Sequence, residues 1–211
     1  MPEHRQLWDI SAPVHTATPV YPGDTPYQQQ WNATIGADCA ANVSTLTMSA
    51  HIGTHADAPL HYDANGAAMG EIALTPYLGT CRVVHVMGCG PLIQWEHLAH
   101  ATHTPLPARV LVRTHAQAPQ QWSPTWSAFA PATIARLADA GVQLIGIDTP
   151  SVDPSDSVTL ESHLQVSQRH MRILENLVLD QVPEGDYELI ALPLKLMQAD
   201  ASPVRAVLRA L

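Results

Sequence analysis

Between residues 51 and 61 the chain reads His51-Ile-Gly-Thr-His55-Ala-Asp57-Ala-Pro-Leu-His61, three imidazoles and one carboxylate within a single short stretch. The groups able to bind a metal or move a proton fall at the odd positions 51, 55, 57 and 61. Alternate residues of an extended chain share a face, so these side chains would point the same way. An unbroken strand would separate positions 51 and 55 by roughly 13 Å, at about 3.3 Å per residue, so a turn at Gly53 is required. Gly53, Thr54 and Pro59 disfavour a helix. The stretch reads as the end of a strand turning into a bent loop.

A second gathering of ligand-type residues lies at Leu160–Glu175, with His163 and Glu175 twelve apart. In one continuous helix they would differ by about 120° in direction and ~18 Å along the axis. Both reach one site only if the helix ends between them and Glu175 sits on the following strand, for which Ile173–Leu179 is suitably patterned. A carboxylate among such aliphatic neighbours is costly unless paired or bound to metal.

Imidazole and carboxylate without thiolate suit Zn²⁺, or less selectively Mn²⁺, Co²⁺ or Fe²⁺. Two histidines and Asp57 are enough protein for one ion. Asp57 has two oxygens and could bridge to a second ion whose shell His163 and Glu175 complete. His61 is then left to move protons. Bound divalent ions lower the pKa of water and polarise a carbonyl, so the set describes amide or ester hydrolysis. Structural zinc sites usually use cysteines and close all four positions, and this set does neither.

The elements that must position these groups are legible in part. Leu7–Ile10 reads as a first strand and Asn42–Ala50, alternating in hydrophobicity, as the strand that leads to His51. Further strand-like runs are Cys81–Val86, Arg109–Arg113, Val142–Ile147, Tyr187–Leu192 and Val204–Leu211. Pro131–Gly141 is a helix with proline in its first turn and glycine as its stop. It feeds a strand apolar enough to be buried on both faces, which makes a β/α unit. Gln94–Ala101 is a shorter helix, and Tyr62–Gly66 a turn marked by Asn-Gly. Asp148, before Thr149-Pro150, is either a turn residue or a further group lining the cleft. The Thr18–Pro26 loop, with Tyr21, could wall a pocket, though from the residues alone a surface turn with a packed tyrosine is the simpler reading. His170, His85, His97, His100, His103 and His115 have no partner at ligand spacing and read as structural or surface groups.

The 211 residues fit one sizeable domain, and 46% hydrophobic against 14% charged residues exclude a disordered chain. A formal net charge of −9 speaks against nucleic acid or an anionic membrane as partner. No apolar run approaches the ~18 residues of a membrane span, and the N-terminus lacks the apolar core of a signal peptide, so a cytoplasmic location is expected. Cys39, Cys81 and Cys89 are odd in number and form no C-x-x-C pair, which argues for free thiols.

The motif His51-x-Gly-Thr-His55-x-Asp57-x-Pro-x-His61 resembles the signature of the metal-dependent cyclase-like hydrolases. Leu7–Ser11, Tyr21–Pro26, Ala58–Asp63, Leu144–Pro150 and Asp186–Lys195 extend the likeness nearly end to end and point to the kynurenine formamidase branch. The resemblance implies an α/β fold, a swivelling β/β/α domain with a mixed sheet and flanking helices, and a homodimer. It implies one zinc on His51, His55 and Asp57, and a second on His163, with Asp57 and Glu175 bridging. It gives His61 the proton donor and acceptor role, and N-formyl-L-kynurenine as substrate, hydrolysed to L-kynurenine and formate in tryptophan breakdown. Formamidases commonly carry tryptophan where this chain has Tyr21, a position that stacks on the substrate ring. Tyrosine keeps a π face with less area. A sister hydrolase opening a cyclic amide, such as an isatin hydrolase, is the alternative within the family; a catalytically silent metal-binding protein is the alternative outside it.

Overall fold

The computed structural model describes residues 5–211. The first four residues, part of the stretch read above for a leader, lie outside the described residues. In chain order the strands and helices are β1 (Leu7–Asp9), β2 (Gln28–Ala33), β3 (Val43–Thr47), β4 (His55–Asp57), β5 (Leu78–His85), β6 (Leu92–Ile93), α1 (Trp95–Leu98), β7 (Arg109–Arg113), β8 (Ala128–Phe129), α2 (Pro131–Asp139), β9 (Leu144–Ile147), α3 (Glu161–Gln168), β10 (Arg172–Glu175), β11 (Gly185–Ile190), β12 (Ala201–Pro203) and β13 (Val207–Ala210).

Nine of the strands form one mixed sheet in the order β1-β13-β11-β5-β7-β9-β10-β4-β12. Its centre, β5, β7, β9 and β10, is parallel. Antiparallel strands flank it on both sides. The central strands are buried on both faces, as continuous apolar runs require. In β9, Leu144 packs into one core with Tyr77, Leu111 and Leu174, while Ile145 and Ile147 pack into the other with Val110, Ile134 and Leu137. All three helices contribute to that second core through Leu98, Ile134, Leu137 and Val166. The fold class is therefore α/β, with a mixed sheet and its helices on one face.

α2 matches its expectation: Pro131 opens it, and Gly141 follows its end at φ +89°, a left-handed position that glycine takes without strain. α3 ends at Gln168, so the chain does break between His163 and Glu175 before β10 begins.

Three expectations are corrected. The strand expected over Asn42–Ala50 is Val43–Thr47, and it lies outside the main sheet, in a hairpin with β2. The polar run Gln28–Gln30 of β2 gave no apolar alternation from which a strand could be read. The order within the first cluster is also reversed, because the bend precedes the strand and His55–Asp57 is itself β4. Lastly, the strand expected over Ile173–Leu179 stops at Glu175, where Asn176 turns left-handed at φ +54°.

Candidate active site

Gly53, at φ +60°, bends the chain between His51 and His55, which is the turn that the spacing demanded. β4 then places His55 and Asp57 on one face with Ala56 facing the opposite core. β4 pairs antiparallel with β10, so that Glu175 stands opposite His55 and Ile173 opposite Asp57. Directly opposed residues bring their Cβ atoms to about 4.5–5.5 Å. The pairing thus delivers Glu175 to the first cluster. α3 packs over the same face, with Val166 in the core shared with Ile173, and supplies His163.

The two carboxylates divide their oxygens between the histidines. Asp57 Oδ1 lies 3.1 Å from His51 Nδ1 and 3.4 Å from His55 Nε2, while Oδ2 lies 3.3 Å from His163 Nε2. Glu175 Oε2 is 3.3 Å from His55 Nε2 and Oε1 is 3.7 Å from His163 Nε2. His55 Nε2 and Asp57 Oδ1 are both buried without a hydrogen-bond partner. Buried polar atoms are rarely left so, and two such atoms aimed at one another's surroundings fit a cation between them. Ligand atoms of His55, Asp57 and Glu175 all lie within 4.8 Å of one another, as do those of His51, Asp57 and His61. The donor set therefore fits bound divalent metal.

Electrostatics without an ion point the same way. Burial opposes a charge on His51, but the nearby carboxylates of Asp57 and Asp200 outweigh it and push its pKa up to about 9. For His163 burial is likewise overcome, by Asp153, Asp57 and Glu175, to about 10. His55 is raised against its burial by Glu175 and Asp57. Asp57 is held well below the usual carboxylate range, its burial outweighed by His163 and His51. Without an ion, the buried carboxylates raise the affinity of these histidines for protons. His61 behaves differently. Burial lowers its pKa, so this imidazole stays neutral near pH 7.

Residues 8–154 match the model of the Cyclase family. A protein named kynurenine formamidase from Delftia acidovorans is 64% identical over 207 residues, covering 98% of this chain and 99% of its own sequence. One of the same name from Bordetella pertussis is 62% identical over 208 residues, covering 98% and 99%. The chain belongs to the cyclase family. Among solved structures, a "potential metal-dependent hydrolase with cyclase activity" superposes with a TM-score of 0.83 at 29% identity, covering 97% of this chain and 98% of its own. Isatin hydrolase A of Labrenzia aggregata shares the fold, with a TM-score of 0.83 at 21% identity, over 98% and 94%. The swivelling β/β/α architecture and the hydrolase class are thus those of the cyclase family.

In this cyclase-family site the cluster opens into a cavity of about 410 Å³. Tyr21, Trp122 and Trp126 line it together with Pro19, Pro119 and Pro150. Tyr21 is half exposed and meets Trp122 edge-on at 6.1 Å between ring centroids. It is a pocket residue, not the packed surface tyrosine that the residues alone suggested. Asp148 lines an adjoining cavity of about 170 Å³, which shares Pro19, Pro119 and Asn176 with the first but not the histidines. Its oxygens accept the backbone N–H groups of Thr114 and His115 and the Thr114 hydroxyl. His115 Nδ1 lies 3.7 Å from Asp148 Oδ2 and His100 Nε2 2.9 Å from Glu184 Oε1, both outside the histidine cluster. His170, at φ +54°, follows the end of α3 outside the cluster.

Sequence reasoning missed Asp153, Asp200, Trp122 and Trp126. Asp200 Oδ2 lies 3.0 Å from His51 Nε2 and 3.5 Å from His61 Nδ1. Asp153 lies 2.6 Å from His163. Both aspartates sit in loops, where their residue type carries an ordinary turn reading. Only tertiary structure brings them to the histidines.

Proposed function

We propose that this chain hydrolyses N-formyl-L-kynurenine to L-kynurenine and formate, in the breakdown of tryptophan, with two Zn²⁺ ions bound per subunit. The observation that carries the reading is the pair of unpartnered buried atoms, His55 Nε2 and Asp57 Oδ1, in a cluster whose His51, His55, His163 and Glu175 line a ring-walled cavity. The near full-length likeness to relatives named kynurenine formamidase supports the substrate.

His51, His55 and Asp57 would hold one ion and His163 the other, with Asp57 and Glu175 shared between the two. The split of carboxylate oxygens between the histidines supports that arrangement. Mn²⁺, Co²⁺ or Fe²⁺ fit the same donors. Bound there, such ions lower the pKa of water and polarise a carbonyl. His61, neutral and with its ring 4.3 Å from that of His51, takes the proton of the attacking water. As the C–N bond of the formamide breaks, His61 returns that proton to the departing aryl amine nitrogen. Formate and the free amine result. Tyr21 and Trp122 form the wall against which an aryl ring packs.

The same reading takes residues 1–211 as one cyclase-like metal-dependent hydrolase domain, supported by the pairing of β1 with β13. It makes the protein a homodimer, for which the hairpin β2–β3 offers half-exposed Trp31, Val43 and Leu46. Three free cysteines support a reducing, cytoplasmic setting, and among the described residues no helix is long and apolar enough to cross a membrane.

Zinc-loaded protein incubated separately with N-formyl-L-kynurenine and with isatin tests the function. Release of L-kynurenine that chelator abolishes is expected. Turnover of isatin alone would assign the chain to the cyclic-amide branch.

A further inference from the structure

Asp153 is almost fully buried, with a relative exposure of 1%, and its carboxylate makes three contacts to one short segment. Oδ1 accepts the backbone N–H of Ser162 at 2.8 Å, and Oδ2 accepts that of His163 at 3.0 Å. Oδ2 also lies 2.6 Å from Nδ1 of the His163 ring. A carboxylate with no proton of its own only accepts, so in the neutral ring Nδ1 is the nitrogen that carries hydrogen. That leaves Nε2, the atom 3.3 Å from Asp57 Oδ2, as the one available to a cation.

The residue before it acts in the same place. Val152 donates its backbone N–H to Glu175 Oε1 at 2.8 Å, the oxygen that faces His163. Two consecutive residues thus hold two different ligand-type side chains, one through the main chain and one through a carboxylate. Their position is fixed in turn by Phe129, whose N–H bonds Val152 O at 2.9 Å, and by Trp126, whose indole N–H bonds Asp153 O at 2.9 Å. Trp126 also lines the cavity.

We propose that Asp153 is a positioning residue for metal: it fixes the tautomer and direction of His163 so that Nε2 faces Asp57 and Glu175. The inference rests on the metal reading of the proposed function, although not on the substrate. Outer carboxylates opposite a ligating imidazole set its orientation and basicity, and their loss typically costs about 10- to 100-fold in metal affinity. The competing role is purely structural. Asp153 satisfies two free N–H groups in the first turn of α3, whose own preceding residue Leu160 supplies no side-chain cap.

Two measurements separate these roles. In D153N, competition between protein and a chelator for Zn²⁺ is expected to show one zinc weakened by about 10- to 100-fold, with the other ion retained. A cap-only role would lower the melting temperature of the metal-free variant and leave zinc affinity at the wild-type value, and that result overturns the proposal. The second measurement needs no variant and so survives a D153N that fails to fold. Nitrogen-15 NMR of zinc-loaded wild-type protein should find His163 protonated at Nδ1 and metal-bound at Nε2. The opposite tautomer would overturn the proposal. Wild type that binds no zinc would sink the metal reading itself. Zinc binding without hydrolysis of N-formyl-L-kynurenine would sink only the substrate.

Discussion

The two halves of the site are built to different standards of burial. Around His163 everything is enclosed: His163, Asp57, Glu175 and Asp153 are each 3% exposed or less. Around His51 the walls are open, with side-chain exposures of 19% for His51, 30% for His61 and 47% for Asp200. Each half has a histidine backed by an outer aspartate, but only one of those aspartates is sealed from water. The dry half suits retention, because charged contacts there are little screened. In the proposed reading, the open half is where substrate, water and His61 would meet. Asp57 belongs to both.

Asp57→Asn is the most direct way to break this comparison. One oxygen of the proposed bridge becomes an amide nitrogen, and both proposed ions should be lost on gel filtration, with turnover down by on the order of 10³-fold, the scale of losing a preorganised electrostatic contact. Metal analysis showing one ion retained would mean the halves are independent and the bridge is wrong. His61→Ala tests the open half alone. Turnover is expected to fall by roughly 10²- to 10⁴-fold, as for loss of a general acid–base group, with zinc content unchanged. A matching loss of zinc would make His61 a ligand, as its closeness to His51 and Asp57 allows.

The smallest effect concerns metal-free stability. His51 and His163 are raised to about 9 and about 10 in the folded chain, from an ordinary value of 6.5. Groups raised on folding stabilise fully below their unfolded pKa, and that contribution disappears as pH climbs through the folded values. Chelated protein should therefore melt at progressively lower temperature from pH 6.5 toward 10. Zinc-loaded protein should lose less, since the ion has replaced those protons. On the acid side Asp57, Asp153 and Asp200 are lowered, so their contribution is present above 3.8 and is lost as pH falls below it. A flat melting temperature for chelated protein between pH 6.5 and 10 would show that the cluster does not hold these protons.

The ligand-type residues were legible because their types are costly anywhere else. Three histidines and Asp57 around Gly53 have no packing reason to coexist, and the helical geometry of residues 163 to 175 alone required a break. The buried strand after Pro131–Gly141 was legible from the apolar run at Val142–Ile147. What could not be read was adjacency. The pairing of β4 with β10 and β12 joins segments far apart in sequence, and no local period encodes it. Asp153 and Asp200 are invisible for the same reason. Trp122 and Trp126 were unreadable because they lie in a long loop without regular structure, where nothing states which way a ring faces.

β4 is only three residues long, and both of its neighbours in the sheet come from the last fifth of the chain. While the protein is being synthesised, the strand bearing His55 and Asp57 waits unpaired for most of translation. Three imidazoles and a carboxylate are then bare on a nascent chain, able to capture stray cations in the wrong combination. Ribosomal order thus makes assembly of the full ligand set a late event, dependent on the emergence of Arg172–Glu175.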